Sequence, residues 1–418
     1  MTENHNSQAS AIGKGKIMPA MPRIAAPAHR IRDDAEAIAV AHEMATRFAT
    51  GAAERDRERR LPFTEIDEFS QSGLWAISVP KEYGGAGVSY ATVAEVTAII
   101  SAADGALGQL PQNHYYMIEG LRLDGTEAQK RFFFEQVLNG DRFGNAFTEV
   151  GTRTILDLKT RLTSEGSRFR LNGRKFYATG AVFAHWVPVV AFNDANQFVI
   201  AFVARDAQGV TIIDDWTCMG QRTTASGSAW FDDVLVEPNA VVLHQAAFDR
   251  PTPMGPVAQI VHAAIDAGIA RAALADTIQF VRQYTRPWID SGQEHGYEDM
   301  YTIAMIGDLQ MRVHAVDALL ARAGHAIDRA VADSNEDTVA EASVAVAEAK
   351  AMSTEVSVLA TNKLFELAGT RATLEEYNLH RHWRNARAHT VHDPVRWKYH
   401  AIGNYALNGI KPPRHGAV

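Results

Sequence analysis

The spacing of apolar residues changes twice along the chain. Between residues 33 and 60, apolar and alanine positions recur at helical spacing, with Asp33 or Asp34 as a candidate N-cap. The same spacing predicts helices over residues 90–104 and 126–138. Pro80 and the sequence EYGGAGV shortly after it indicate a turn. The first third of the chain is therefore predicted to be mostly helical.

The middle of the chain has the shorter period of β-strands. The runs between Leu156 and Glu237 are DLKTRL, FRLNGRKFY, HWVPVVAF, QFVIAFVA, GVTII and SAWFDDVLVE. Asn172-Gly173 is a favoured pair for a two-residue hairpin turn. Because no helical segment separates these strands, they predict an antiparallel sandwich or a small barrel.

Helical spacing returns after Pro256. It predicts long helices over residues 257–284, 300–332 and 337–367, with Asn335 near the start of the last, and hence a helical bundle. The chain is therefore predicted to have an α+β fold. Its predicted parts are a mobile N-terminal tail (1–28), an N-terminal helical domain (29–143), a central β-barrel or sandwich domain (144–249) and a C-terminal four-helix bundle (250–418).

Composition limits the classes of partner. A formal net charge of −8 at pH 7 argues against nucleic acid or an anionic membrane as the main partner. The one cysteine, Cys218, excludes an intrachain disulfide and a multi-thiolate metal site. Proline interrupts the segment IMPAMP, which argues against a signal peptide, and no stretch reaches the length expected of a membrane span. These features predict a cytoplasmic protein.

Residues 380–394, HRHWRNARAHTVHDP, concentrate four histidines, a tryptophan and an aspartate in one segment. Imidazole donates, accepts or changes charge near neutral pH, so His389 and His392 beside Asp393 can supply acid, base and orienting groups. The histidine spacing also resembles half of a metal site. Positive neighbours and the lack of a partner at metal-ligand spacing argue against a cation, so no metal is predicted.

Five other polar positions each have a structural and a functional interpretation. His114 follows a proline at a predicted helix start, where it is either satisfied by a backbone carbonyl or part of a pocket wall. Asn145, Thr148 and Thr179 lie at junctions of helical and β texture, where they either cap strands or bind a heterocycle edge or phosphate. Arg286 ends a long helix as either a solvated charge or an anion clamp.

Residues 30–410 have the order helices, strands, helices, and they also contain the segments VPKEYGGAG, LNGRKFYATGA, FDDVLVEPN and RNARAHTVHDP. Together they resemble the acyl-CoA dehydrogenase superfamily. The resemblance implies a flavin between the β domain and the C-terminal bundle, with part of its site supplied by a neighbouring subunit of a homotetramer. In dehydrogenases of this superfamily, a Glu-Gly-Thr motif carries the base that removes the substrate's α-proton. Asp393-Pro394-Val395 stands in its place here, and the shorter carboxylate argues against that reaction.

Other segments resemble the flavin-dependent monooxygenase branch that contains dibenzothiophene monooxygenases and sulfur-acquisition oxidoreductases. They are Asn113-His114, GNAFTE from Gly144, YATG from Tyr177, DDW from Asp214, FDDV from Phe231, RPW from Arg286, GTR from Gly369 and HTVHDP from His389. In that branch a separate NAD(P)H:flavin reductase delivers reduced FMN, which reacts with O₂ to give a C4a-hydroperoxyflavin. The resemblance therefore implies a two-component monooxygenase that oxygenates a sulfide, sulfoxide, sulfone or thiophene in sulfur acquisition.

The resemblance also implies a role for each candidate residue. Asn145, Tyr177 and Thr179 would contact the isoalloxazine, and Arg286 would hold the phosphate across a subunit interface. His114 and His392 would flank the place where oxygen reacts. The full predicted cofactor set is Asn145, Thr148, Tyr177, Thr179, Arg286, Gly369, Thr370, Arg371, His392 and Asp393. The predicted catalytic set is His114, Thr179, His389 and His392.

Two alternatives remain open at this point. One is an FAD-dependent acyl-CoA dehydrogenase with an atypical base, in which FAD would be tightly bound. The other is a flavin-binding or scaffold protein without activity. Weak binding of FMN favours the monooxygenase, whereas tightly bound FAD, the less expected cofactor, favours the dehydrogenase.

Overall fold

The computed structural model describes residues 15–154 and 157–417, and its N-terminal part is helical as expected. The helices are α1 (Asp34–Ala49), α2 (Ala52–Glu58), α3 (Phe63–Gln71), α4 (Tyr90–Ala103), α5 (Gly105–Gln109), α6 (Gln112–Asp124) and α7 (Glu127–Leu138). Asp33 caps α1, because its side chain accepts a hydrogen bond from the Glu36 amide. The helical spacing over residues 33–60 corresponds to two helices, α1 and α2, because the chain breaks at Gly51, whose φ is 80°.

Eight described strands form one sheet in the middle of the chain. They are β1 (Lys16–Ile17), β2 (Arg161–Glu165), β3 (Arg168–Lys175), β4 (Trp186–Phe192), β5 (Phe198–Ala204), β6 (Val210–Asp214), β7 (Ser228–Val236) and β8 (Val241–Val242). Their order across the sheet is β1-β6-β7-β3-β2-β4-β5-β8. All neighbouring pairs are antiparallel except β2 and β4, which run parallel, so the expectation of a purely antiparallel sheet needs that one correction.

The hairpin turn predicted at Asn172-Gly173 is wrong. Both residues lie inside β3, and the turn between β2 and β3 falls after Glu165, which pairs with Arg168. Gly173 is required for packing, since a Cβ there would lie 2.2 Å from the Thr160 hydroxyl oxygen. A glycine that permits close approach of another group leaves the same sequence signal as one that permits a turn.

The N-terminal segment requires a second correction. Residues 1–14 of the predicted mobile tail lie outside the described residues, but from residue 15 the chain is packed. Strand β1 pairs with β6, Met18 is buried, and the Arg23 guanidinium binds Asp141 at 3.0 Å. Residues 15–28 therefore pack against the rest of the fold.

The C-terminal part contains three long helices and three short ones. They are α8 (Ala246–Asp249), α9 (Met254–Tyr284), α10 (Met300–Ala332), α11 (Glu336–Ala368), α12 (His380–His389) and α13 (Arg396–Asn408). The long helices α9, α10 and α11 pack together, and the short helices α12 and α13 pack against α11. Asn335 caps α11 through its side-chain oxygen. Helix α4 also packs on α9 and α10, so the helical core joins both ends of the chain.

Helix α9 runs through the centre of this core. Contrary to the expectation from sequence, it is long and apolar enough to cross a bilayer, the one described helix of which this is true, and 89% of its most apolar window is buried inside the protein. Burial of a helix on all sides selects apolar residues around its whole circumference, as a membrane does. Any polar side chain on α9 therefore needs a buried partner.

Candidate active site

A cluster of three imidazoles lies where α12 ends against α9. His389, the last residue of α12, is buried, and its Nε2 lies 3.1 Å from Nδ1 of His262 on α9. The ring of His262 stacks on the ring of His392, with centroids 4.2 Å apart. The structure thus brings the two predicted histidines together and adds His262 between them.

A fully buried ion pair contacts the buried side of this cluster. Asp266, one turn after His262 on α9, is 2.6 Å from Nδ1 of His389 and 2.6 Å from the Lys350 ammonium of α11. Burial by itself would raise the pKa of Asp266, but Lys350 and His389 lower it to about 2. Burial lowers the pKa of His389 and moves that of His262 well below its ordinary value. At rest, Asp266 is therefore an ionised carboxylate, and His262 and His389 are neutral imidazoles.

Asp393 lies on the solvent side of the cluster. Its Oδ2 is 3.2 Å from Nδ1 of His392, whose side chain is 46% exposed. Burial opposes ionisation of Asp393, yet the hydrogen bond from His392 and the nearby positive charge of Lys398 bring its pKa below the usual range. A carboxylate with so low a pKa is a weak base, so Asp393 is suited to orienting His392.

A chain of hydroxyl groups connects the β domain to α12. The hydroxyl oxygen of Thr179 is 2.7 Å from that of Ser226, which is 2.7 Å from that of Thr224. The Thr224 hydroxyl donates to the Gln221 carbonyl, and the Gln221 amide donates to Oδ1 of Asn385 at 2.7 Å. Because Asn385 precedes His389 by one helical turn, Thr179 and the histidine cluster flank the same stretch of α12.

Asn145, Thr148 and Tyr177 come from two neighbouring segments of the β domain. The Phe176 amide donates to the Thr148 carbonyl, and the Asn145 side chain accepts from the Phe147 amide. Tyr177 adopts a φ of 57° and leaves 49% of its surface exposed, next to the ring of Trp216. Left-handed backbone and an exposed aromatic ring are costly for tyrosine, which marks this turn as a candidate binding surface.

His114 has the contacts of a structural histidine. It is fully buried in α6, where one ring nitrogen lies 2.7 Å from the Trp75 carbonyl and the other accepts from the Phe143 amide. Burial lowers its pKa to about 3. Both nitrogens are occupied, and no bond connects the ring to the cluster around His392.

Arg286 and residues 369–371 form a second group at the far end of α9. The Arg371 guanidinium lies 4.3 Å from the ring centre of Tyr284, and the Thr285 hydroxyl binds the Ala368 carbonyl. Arg286 is exposed, with no ion pair to any described residue. Tyr284 follows His262 by 22 positions on α9, or about 33 Å at 1.5 Å per residue. Within one chain, Arg286 and residues 369–371 are therefore too far from the histidine cluster to form one site with it.

A cavity adjoins the hydroxyl chain. Its volume is about 10 Å³, which is room for one water molecule, between α2, the end of α4, the start of α5, α9 and α12. Ser101, Ile269, Thr223 and Asn385 are among its lining residues, and the Ser101 hydroxyl is buried without a hydrogen-bond partner in the described part of the chain. Because Asp56, Asp104 and Arg381 also line it, the cavity is small and polar.

Three family models of acyl-CoA dehydrogenases match the chain. The N-terminal domain model matches residues 32–141, the middle domain model residues 144–234, and the C-terminal domain model residues 260–397. The chain belongs to the acyl-CoA dehydrogenase family.

The similar proteins within this family include monooxygenases. Dibenzothiophene monooxygenase of Rhodococcus erythropolis is 34% identical over 91% of this chain and 95% of its own length. The probable FMNH2-dependent monooxygenase SfnC of Pseudomonas putida is 31% identical over 90% of this chain and 96% of its own. The FMN-bound crystal structure of TdsC from Paenibacillus sp. A11-2 aligns with a TM-score of 0.87 at 29% identity, covering 91% of this chain and all of that one.

The polar groups around Thr179 suit a flavin ring. The isoalloxazine has both donors and acceptors along its edge, and it has two aromatic faces. Thr179 offers a hydroxyl, and the buried side-chain amide of Gln221 has neither its nitrogen nor its oxygen bonded. Tyr177 and Trp216 provide exposed aromatic surface beside them. The donor set of this turn therefore fits a flavin, with no metal required; none of the described residues form a group suited to hold one.

Sequence reasoning missed His262, Asp266 and Lys350. The signal was available for His262 and Asp266, because both are polar residues in the stretch 254–270 of α9, which is otherwise mostly buried and apolar. It was not available for Lys350, because α11 carries many other charged residues. His262 and Asp266 are also four residues apart, which places them on one face of α9. A pair of this kind is retained only when something buried binds it.

Proposed function

We propose that the protein is an FMN-dependent monooxygenase that uses reduced FMN and O₂ to oxygenate an organosulfur compound. The observation that carries this proposal is the histidine cluster at the position of the dehydrogenase base. Asp393 is held in a hydrogen bond by His392 and is strongly acidic, so it is poorly suited to removing a carbon-bound proton. The similarity to dibenzothiophene monooxygenase and to the probable FMNH2-dependent SfnC supports the same reaction class.

Bound FMN would supply the two electrons that activate O₂. The protein's part is to hold the ring, to exclude water and to manage protons. Asn145, Thr148 and Tyr177 would contact the ring, while the Thr179 hydroxyl, oriented by Ser226, would bond to its edge. The proposal leaves His114 out, because both of its ring nitrogens are occupied.

His392 is the residue proposed to act on oxygen and substrate. Its side chain is half exposed, whereas those of His262 and His389 are buried. Asp393 holds one ring nitrogen, which leaves the other free to donate or accept a proton.

The phosphate of FMN would be bound by a second copy of the chain. Arg286, Gly369, Thr370 and Arg371 lie about 33 Å from the histidine cluster, by the rise of α9, which is farther than FMN extends. Beside Arg286, Trp288 and Ile289 are 69% and 85% exposed, which is unusual for large apolar side chains unless a partner covers them. We place these residues in the interface of a homotetramer.

This shared site has a direct test. At an FMN concentration that just saturates the wild type, Arg286→Ala and His392→Ala should each form little product alone, because every site lacks one group. When the two variants are coexpressed and purified together through different tags, some sites regain both intact groups and activity should return. Continued inactivity of the mixed oligomer would show that Arg286 and His392 do not complement each other across subunits.

The reaction itself is tested by reconstitution with a flavin reductase, NADH and FMN, the reductase being the expected functional partner. Sulfides, sulfoxides, sulfones and thiophenes are offered with oxygen-18 gas, and products are analysed by mass spectrometry. Labelled oxygen in a product is the expected result. If no compound is labelled, and bound reduced FMN reoxidises as fast as free reduced FMN, the proposal fails. Tightly bound FAD that bleaches on addition of an acyl-CoA would establish a dehydrogenase instead.

A further inference from the structure

The imidazole of His262 has one nitrogen that the fold uses and one that it leaves open. Nδ1 is 3.1 Å from Nε2 of His389, whereas Nε2 has no hydrogen-bond partner within the described part of the chain. The ring is 4% exposed and stacks against His392. Although the ring is mostly buried, Nε2 is not sealed from solvent, so the fold holds one side of the imidazole and leaves its other nitrogen open to water or to a bound molecule.

The hydrogen bonds determine which nitrogen of each ring carries the proton. Asp266 is ionised and only accepts, so the proton of neutral His389 is on Nδ1, which donates to it at 2.6 Å. Nε2 of His389 is then an acceptor, and Nδ1 of His262 must donate to it. It follows that Nε2 of His262 carries a lone pair. This series of hydrogen bonds begins at the Asp266 carboxylate and ends at Nε2 of His262, a basic nitrogen without a hydrogen-bond partner among the described residues.

We propose that Asp266, His389 and His262 form a proton relay whose outer end is Nε2 of His262. A proton arriving at Nε2 releases the Nδ1 proton of His262 to Nε2 of His389. The positive charge then rests on His389, which keeps its hydrogen bond to the Asp266 carboxylate, and His262 is again neutral with its proton on the other nitrogen. Reversal of the two transfers returns the proton.

The proposal rests on the monooxygenase function. In that reaction, reduced FMN, O₂ and substrate give oxidised FMN, oxygenated substrate and water, so two hydrogens pass from the flavin to the departing oxygen. A group beside His392 that takes up a proton and later returns it could hold one of these protons during the reaction. In acid–base catalysis, a carboxylate hydrogen-bonded to an imidazole commonly stabilises the imidazolium that forms transiently.

Charges on every neighbouring element act on the relay. Those that face it are Asp266 on α9, Lys350 on α11, His389 on α12, His392 and Asp393 in the following turn, Lys398 on α13 and His415 near the C-terminus. Lys350 disfavours a further positive charge, whereas Asp266 and Asp393 favour one. Burial keeps the relay neutral at rest, and neutrality is what enables it to accept a proton.

The critical variant is His262→Asn, with His262→Phe beside it. Asparagine places an amide nitrogen near the position of Nδ1 and so retains the bond to His389, but it has no basic second nitrogen. If His262 only supports its neighbours, His262→Asn should work nearly as well as the wild type and only His262→Phe should fail. If the relay operates, both should lose about 100-fold in product formed per oxygen consumed and should lose the acidic limb of the pH profile. Recovery of His262→Asn to within about twofold of the wild type would overturn the proposal.

A second measurement does not depend on activity. Flavin-free protein carrying nitrogen-15 histidine is studied by solid-state NMR, and the signals of His262 are assigned by comparison with His262→Phe. The relay requires a protonated Nδ1 and a bare Nε2 at His262 at neutral pH. His244→Phe, which removes another buried imidazole, bound to Tyr116, controls for general changes in the fold. A protonated Nε2 would overturn the relay even if monooxygenation is established, and failure of the oxygen-18 experiment would leave the tautomer result standing.

Discussion

Replacement of Lys350 by methionine tests the electrostatic account of the cluster. Lys350 and Asp266 are buried, and Asp266 also accepts from His389. Methionine fills similar space but leaves Asp266 with His389 and the Thr354 hydroxyl, of which only His389 can carry a compensating charge. The pKa of Asp266, about 2 in place of 3.8, corresponds to about 2 kcal/mol of preference for its charged form. Removing one partner of a buried ion pair costs about 3–5 kcal/mol in general, so we expect a loss of about 3 kcal/mol in stability.

The loss should depend on pH with a definite sign. In the wild type, burial lowers the pKa values of His389 and His262, so both imidazoles oppose folding once pH falls below their ordinary value of 6.5. In Lys350→Met, Asp266 draws its compensating charge from His389, and the pKa of His389 rises. A group with a raised pKa in the folded state adds stability at low pH and loses it as pH rises through that pKa. The deficit of the variant should therefore be smaller at pH 6 than at pH 8.

The assay is thermal and urea unfolding of flavin-free protein at these two pH values, followed by circular dichroism. Lys363→Met is the matched control, because Lys363 lies on the same helix in a solvent-exposed pair with Glu366. Pairs of that kind contribute about 0–1 kcal/mol. If Lys350→Met unfolds no more easily than Lys363→Met, or if its deficit is larger at pH 6, the assignment of charges in the cluster is wrong.

Three further variants test separate parts of the site. His392→Ala should fold normally, because the side chain is half exposed, but it should release peroxide in place of product. If the product formed per oxygen consumed is the same as in the surface variant His42→Ala, His392 has no part in the reaction. Thr179→Val should weaken FMN binding about fivefold by loss of one hydrogen bond, and Thr179→Ser should not; equal affinities, measured by flavin fluorescence, would contradict the contact. Arg286→Ala should weaken FMN binding about 10–100-fold by loss of a charged hydrogen bond. An FMN affinity equal to that of the surface variant Arg312→Ala would show that Arg286 does not bind the phosphate.

The sequence predicted the order of helices, sheet and helices because the period of apolar residues depends on local geometry. For the same reason it offered Asp33 or Asp34 as the cap of α1 and placed Asn335 near the start of α11; the structure has caps at Asp33 and Asn335. It failed at Asn172-Gly173, since a local signal does not tell whether a glycine serves a turn or a close packing contact. It also missed the break at Gly51, because the apolar spacing continues on both sides of it.

The candidate site was predictable only where its residues are neighbours in sequence. His389, His392 and Asp393 stand together, so their density was visible. Asp266 and Lys350 are 84 positions apart, and only the packing of α9 on α11 brings them within 2.6 Å. His114 shows the converse: a polar sequence context is compatible with a ring that serves only backbone groups, and its tertiary contacts decide between the two interpretations.

The position of Asp393 explains how one fold could change its reaction without changing its architecture. The dehydrogenase reaction needs a carboxylate that reaches a carbon-bound proton and is basic enough to remove it. Asp393 is one methylene shorter than glutamate, and its hydrogen bond to His392 lowers its pKa, which reduces its basicity. The bond that disables the base is also the one that orients an imidazole towards the same place. If the protein is the monooxygenase proposed above, loss of proton abstraction from carbon and gain of a proton donor for oxygen would both follow from this single contact.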